Sequence, residues 1–153
     1  MENKDFEMGE EIRCWGVCIP DNAAEEVAKT LESTWINTGK KEKEFRNKIC
    51  ERFQAPYAIA CMSGTAALKI ALRALGVGPG DEVVSTPFTF IATNTAILEV
   101  GAKPVFADIQ YDTLNIDPNS VEQKITEKTK AIIAVHLYGS LFLYNRPTSF
   151  YTF

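Results

Sequence analysis

The feature that most constrains the fold is an alternation between short apolar runs and helical patterns across residues 57–139. Apolar runs of this length, bounded by Gly, Pro or polar residues, are typical of buried strands. The predicted strands cover residues 57–61, 83–86, 103–109 and 130–139. Strands that alternate with helices usually pair in parallel through crossovers. The pattern therefore predicts an α/β domain whose mainly parallel sheet carries helices on both faces.

Helical periodicity fills the stretches between these runs and also precedes them. In residues 21–35 the apolar residues recur at gaps of three and four, which places them on one helical face. Asn22 with Glu25 three residues later fits a capping box at the start of this helix. Gly76 is placed to end a later helix, and Asp117 to begin another. The other predicted helices cover residues 41–53, 65–75, 89–100 and 117–125.

Length and composition allow one ordinary soluble domain and argue against several classes of protein. The chain has 153 residues, of which 46% are hydrophobic, and this is enough for a core. Its net charge of −4 does not suit a nucleic-acid binder, which would usually present a basic face. No apolar run approaches the roughly 18 residues of a membrane span, and no secretory signal is visible. The sequence therefore predicts no membrane contact and a cytoplasmic protein.

The cysteines do not form a metal motif. Cys14 and Cys18 are close together, but a zinc site would need two more soft ligands at short spacing, and His136 is the single histidine. We therefore predict no metal site and interpret the four cysteines as reduced thiols.

An anion site is a candidate at Ser63-Gly64-Thr65, where a predicted strand meets a predicted helix. A helix N-terminus offers unpaired N–H groups and a partial positive charge, and Gly64 allows close approach of an anion to the backbone. The same three residues also suit an ordinary N-cap and turn. Neither a P-loop lysine nor a dinucleotide fingerprint in the right context accompanies them, because the glycines of residues 76–80 follow a helix.

Four segments, taken together and in order, resemble a known family. They read "WINTGKKEKEF", "SGTAALKIALRALGVGPGDEV", "PFTFIATNTAILEVGAKPVFADI" and "KAIIAVHLYG". Over about residues 15–139 the chain resembles the N-terminal half of the DegT/DnrJ/EryC1/StrS sugar aminotransferases. The resemblance implies part of a three-layer, fold type I large domain that binds pyridoxal 5'-phosphate. It also implies a homodimer that transfers an amino group from glutamate to a nucleotide-linked keto-sugar, in amino-sugar or cell-surface polysaccharide biosynthesis.

The resemblance implies roles for individual residues. Gly64, Thr65 and Ala66 match the helix start that holds the cofactor phosphate, and Phe90 matches the aromatic residue that stacks on the pyridine ring. Core packing is the alternative for Phe90. His136 lies at the end of a predicted strand, where catalysis is conceivable, but a structural histidine bonded to backbone is the favoured interpretation.

The resemblance also predicts an incomplete site. Residues 1–20 are expected to form an N-terminal arm, residues 21–139 a truncated cofactor-binding domain, and residues 140–153 a tail outside the family. The family's Schiff-base lysine and the aspartate that pairs with the pyridine nitrogen have no match, so the chain is expected to be inactive alone. The alternative is a non-catalytic protein that pairs with a full-length relative through the dimer surface, and self-association is expected in either case.

Overall fold

A computed structural model describes residues 16–142 together with the backbone of Tyr151–Thr152. The chain forms two compact units, Met1–Ala60 and Cys61–Phe153. The predicted arm lies almost entirely outside the described residues, as does most of the predicted tail.

The first unit contributes two helices, α1 (Ala23–Glu32) and α2 (Lys40–Phe53), both of which the periodicity predicted. The capping box is wrong, because the Asn22 side chain makes no capping hydrogen bond. Asn22 has φ −86° and ψ 3°, and this is not the extended backbone from which an N-cap side chain reaches back to the first turn. Between the helices, Trp35 donates its indole N–H to the Thr38 carbonyl at 2.8 Å.

The strand predicted over residues 57–61 is absent from the structure. Tyr57 and Ile59 are 85% and 78% exposed, so this apolar run is not buried as a central strand of a sheet would be. A strand forms only where a neighbouring strand accepts its backbone hydrogen bonds, and a short apolar run does not reveal whether that partner exists. The other three predicted strands are confirmed.

The second unit is a parallel α/β layer. Its helices are α3 (Gly64–Ala74), α4 (Ala92–Glu99) and α5 (Pro118–Lys124). Its strands are β1 (Glu82–Ser85), β2 (Lys103–Phe106), β3 (Thr129–Ile132) and β4 (Tyr151–Thr152). The pairings between these four strands are parallel, in the order β2-β1-β3-β4, which confirms the predicted parallel sheet.

The strands are shorter than predicted, and the tail supplies one of them. β1 is four residues long, and the ladders of β2 and β3 against it end where β1 ends. The predicted extensions to Ile109 and Gly139 are therefore wrong: in the described part of the chain neither ladder continues, and Ile109 makes an isolated antiparallel bridge with Ile116 instead. Tyr151–Thr152 pairs with Ala131 and Ile132, so two residues of the predicted tail belong to the sheet.

Two apolar clusters cover opposite faces of the sheet, as the prediction of helices on both faces requires. Side chains alternate along a strand, so Val83 and Val84 point to opposite faces of β1. Val83 packs with residues of α3 and α4, including Leu72 and Ile97. Val84 packs with Val121 of α5 and with neighbouring residues of the sheet. Each helix layer therefore buries one set of alternate strand residues.

Two helix ends follow the sequence signals. Asp117 is the N-cap of α5, its carboxylate accepts a hydrogen bond from the Asn119 N–H, and Pro118 occupies the first helical position. Gly76 follows α3 with φ +73°, a left-handed conformation that favours glycine.

Glu82 at the start of β1 gives the fold a predictable response to acid. Its carboxylate accepts a hydrogen bond from Thr126 Oγ1 at 2.7 Å and pairs with Lys103 Nζ at 3.0 Å. The bond from Thr126, followed by that from Lys103, lowers the pKa of Glu82 below its usual 4.5. Because the folded pKa is below the unfolded one, this stabilisation is fully present above the unfolded pKa and is lost as pH falls through the folded pKa.

We expect the Glu82→Gln variant to lose less stability than the native chain when the pH is lowered from about 6 to about 3. Urea unfolding curves at each pH measure the difference. Glu127→Gln is the control, because Glu127 is exposed and lies on the same connection between α5 and β3 as Thr126. Parallel pH profiles for the native and Glu82→Gln chains would contradict the assignment.

Candidate functional site

The start of α3 presents two free backbone donors. Ser63 is the N-cap, in extended backbone, and its Oγ accepts the Ala66 N–H at 3.1 Å. In the described part of the chain, no hydrogen bond accounts for the N–H of Gly64 or of Thr65. The ordinary N-cap and the anion site are therefore compatible, because the Ser63 cap engages one N–H and leaves two others available.

The surroundings of these donors suit a phosphate. The first turn of α3 holds no acidic residue, so nothing in it opposes the positive end of the helix dipole. A Cβ placed on Gly64 would meet no atom within 4 Å, so the space beside this glycine is open. A phosphate can therefore use this open space to approach the Gly64 and Thr65 N–H groups closely. A methyl group at position 64 would occupy the same space.

Phe90 lies on the loop of residues 86–91, which joins β1 to α4, and it is 71% exposed. Because the Phe90 side chain is mostly exposed, the structure does not support core packing, the alternative for this residue. Its ring is available to cover a flat ligand, and a flat aromatic ring covers another ring well when water is excluded between them.

The chain returns from α3 through a short turn into β1, and then from β1 into α4, so both helices begin at the carboxyl edge of the sheet. Ligands of open parallel sheets bind at this edge. The loop that follows β3 and carries His136 leaves the sheet at the same edge. The topology therefore places Gly64, Phe90 and His136 at one edge of the sheet. In the described part of the chain, no hydrogen bond links these three residues to one another.

His136 is exposed, and its imidazole is engaged locally. Its Nδ1 accepts the Phe142 N–H at 3.0 Å. The adjoining turn is held by Asn115, whose Oδ1 accepts the Leu137 N–H and whose Nδ2 donates to the Ser140 carbonyl, both at 3.0 Å. This arrangement is a structural one and shapes the loop after β3.

Sequence reasoning missed two residues that organise this edge, Asn94 and Asn115. Asn94 Nδ2 donates to the Thr86 carbonyl at 3.0 Å across eight positions of sequence. Asn115 is only 2% exposed although it precedes a helix by three residues. An asparagine inside or beside a helical pattern is a weak signal, because such residues more often cap helices or face solvent.

Two other findings concern the described residues as a whole. They contain no cluster of His, Cys, Asp or Glu that could hold a metal ion, and Cys18 and Cys50 are free thiols. Within the same part of the chain, each helix is too short or too polar to cross a membrane.

Comparison with known proteins identifies the relatives of this chain. Residues 17–144 match the DegT/DnrJ/EryC1/StrS aminotransferase family. The spore coat polysaccharide biosynthesis protein SpsC of Bacillus subtilis (strain 168) is 48% identical over 115 residues, which are 75% of this chain and 30% of SpsC. The chain spans about 30% of the length of the curated relatives it matches.

Solved structures share the fold described above. Spr1654 from Streptococcus pneumoniae, in its PLP form, superposes with a TM-score of 0.77 at 46% identity, over 82% of this chain and 32% of Spr1654. NtdA from Bacillus subtilis with bound PMP superposes with a TM-score of 0.74 at 38% identity, over 79% of this chain and 29% of NtdA. With a family match over most of its length, and with relatives that carry PLP or PMP, this chain belongs to the DegT/DnrJ/EryC1/StrS aminotransferase family and has part of its α/β fold.

Proposed function

We propose that the backbone of Gly64 and Thr65 holds the phosphate of pyridoxal 5'-phosphate and that Phe90 covers its ring, in a protein that aminates a nucleotide-linked keto-sugar. The proposal rests on the two free N–H groups at the exposed start of α3, whose first turn contains no acidic residue. Membership of the family supports the choice of cofactor. When bound, this cofactor supplies the electron sink for amino transfer.

Each residue of the site has a separate role, either as a hydrogen-bond donor to the phosphate or as a cover for the ring. Gly64 and Thr65 donate backbone N–H groups to the phosphate, and Ala66 keeps its N–H in the Ser63 cap. Phe90 covers the pyridine ring and excludes water from one face. His136 shapes the loop after β3 through its bond to Phe142 and carries no proton in the reaction.

We assign no catalytic lysine to residues 1–153. Lys69 is the lysine nearest in sequence to the phosphate donors, and its ammonium pairs with Glu99 Oε2 at 2.7 Å. Glu99 is the last residue of α4, so this ion pair engages the Lys69 ammonium at the end of α4 and not at the loop that carries Phe90. The Schiff-base lysine, the amino donor glutamate and the second subunit of a homodimer are therefore proposed for the whole protein, on the basis of the family.

SpsC is named for spore coat polysaccharide biosynthesis, and we extend to this chain the same general role in making amino sugars for polysaccharides. No observation favours the alternative of a non-catalytic protein that pairs with a full-length relative. Purification of the chain with and without such a relative would reveal that pairing directly.

The Gly64→Ala variant tests the proposed phosphate site, because stability and binding should change in opposite directions. The open space beside Gly64 accommodates a methyl group, and alanine favours a helix over glycine by up to about 1 kcal/mol. The same methyl group fills the space through which a phosphate approaches the N–H groups. We expect unchanged or slightly higher stability, and binding of pyridoxal 5'-phosphate weakened about tenfold, as one strong charge-assisted hydrogen bond implies.

Fluorescence titration with pyridoxal 5'-phosphate, and separately with pyridoxal, measures both effects. The native chain should prefer the phosphorylated ligand, and Gly64→Ala should lose most of this preference. Gly78→Ala is the matched control, since a Cβ there also meets nothing within 4 Å and Gly78 lies in the turn before β1. Equal binding by the native and Gly64→Ala chains would reject the site.

A further inference from the structure

The loop that carries Phe90 is fastened to α4 by side chains. Residues 86–91 leave the sheet after β1, and no strand pairs with them. Thr86 Oγ1 accepts the Phe88 N–H at 3.1 Å, and the hydroxyls of Thr89 and Thr93 lie 3.0 Å apart. These bonds each span two to four residues, so they shape the loop locally without fixing it to the rest of the edge.

Asn94 makes the longer connection. It lies in the first turn of α4, and its Nδ2 donates to the Thr86 carbonyl at 3.0 Å, where the loop leaves β1. The bond closes the loop across its base, so that both of its ends are held against the same turn of helix. At the other end of the loop the Phe90 carbonyl accepts the Thr93 N–H at 3.0 Å, so this amide and one backbone bond together hold the two ends of the loop against α4.

The orientation of the Asn94 amide is set by the same contact. Its Oδ1 is buried and has no hydrogen-bond partner in the described part of the chain. A flipped amide would place this oxygen against the Thr86 carbonyl, and two acceptors repel each other. The amide is thus held in one orientation by a single donated bond, at the cost of an unpaired buried oxygen. Few buried polar atoms in native proteins lack a hydrogen-bond partner, so this oxygen requires an explanation.

We propose that Asn94 is a positioning residue, which holds the loop of residues 86–91 so that Phe90 presents its ring to the cofactor. This inference rests on the proposed function, because it requires that Phe90 covers a ring bound at the start of α3. It predicts that Asn94 contributes to the binding of a ligand that has a ring, and that it does not contribute to the binding of phosphate alone.

A double-mutant cycle on the full 153-residue chain tests this dependence. The variants are Asn94→Ala, Phe90→Ala and the double substitution, with Thr95→Val as the control, because Thr95 lies beside Asn94 and its hydroxyl donates to the Ala92 carbonyl, within α4. Each is titrated with pyridoxal 5'-phosphate and with inorganic phosphate. We expect Asn94→Ala to weaken pyridoxal 5'-phosphate binding about fivefold, the value of one net hydrogen bond. Binding of inorganic phosphate should be unchanged, and the substitution should have no further effect once Phe90 is alanine.

Amide hydrogen exchange provides a readout that needs no ligand. Asn94→Ala should accelerate exchange at Phe88 and Phe90 while leaving β1 unchanged, and Thr95→Val should leave the loop as it is in the native chain. Equal weakening of both ligands, or an equal loss in the Phe90→Ala background, would show a purely structural role and overturn the inference. If Phe90→Ala weakens binding and Asn94→Ala does not, the inference fails while the proposed function stands. If the native chain shows no preference for the phosphorylated ligand, the proposed function fails and the inference fails with it.

Discussion

Leu72→Ala is expected to destabilise the second unit by about 3 kcal/mol, the typical cost of truncating a buried leucine. Leu72 is fully buried on α3 and packs in the cluster that contains Val83, Ala96 and Ile97. It therefore joins α3 to both α4 and the sheet. The loss combines the transfer of apolar surface with a cavity that the packed helices cannot close. Urea unfolding followed by circular dichroism measures it through the midpoint, with the slope of the transition as a check on two-state behaviour.

Ile70→Ala is the matched control, because Ile70 lies on the same helix and is 48% exposed. Its expected cost is below about 1 kcal/mol, as for most partly exposed positions. Similar losses for the two variants would mean that Leu72 does not make the contact on which α3 depends. The start of α3 holds the proposed phosphate donors, so Leu72→Ala is also expected to weaken phosphate binding in proportion to the unfolded fraction.

Asn115→Ala is expected to cost about 2 kcal/mol, since it removes hydrogen bonds from a buried polar group whose partners then remain unpaired. Asn115 is 2% exposed and bonds to Leu137 and Ser140, 22 and 25 residues further along the chain. It therefore ties the segment before α5 to the turn after β3. Equilibrium unfolding measures the total loss, and hydrogen exchange should place the first opening at the Leu137 amide.

Two further variants sharpen this result. Asn115→Asp keeps the acceptor for Leu137, loses the donor to Ser140 and also buries a carboxylate, so a loss smaller than that of alanine would assign most of the effect to the bond accepted from Leu137. Asn119→Ala is the control for a general asparagine effect, because Asn119 is exposed in the first turn of α5. Its expected change is within about 0.5 kcal/mol. A comparable loss at Asn119 would contradict the role given to Asn115.

The arrangement of the carboxyl edge shows how far residue patterns lead. The alternation of runs and helices predicted the parallel sheet, and the segment "SGTAAL" predicted a helix start with free donors. The pattern around Phe90 did not distinguish a core residue from an exposed one, because both occur at a strand–helix junction. Its exposure depends on the path of residues 86–91, which the hydrogen bond from Asn94 holds.

By itself the sequence determined the local events of this protein: the periodic helices, the Asp117 cap, the left-handed Gly76 and the positions of β1, β2 and β3. These depend on contacts within a few residues, which spacing and residue type record. Only the tertiary structure decided that residues 57–61 form no strand, that β1 ends at Ser85 and that Tyr151–Thr152 joins the sheet. A strand forms only when a neighbouring strand pairs with it, and an asparagine is buried only when distant residues satisfy its side chain. Neither can therefore be predicted from the residues of its own segment.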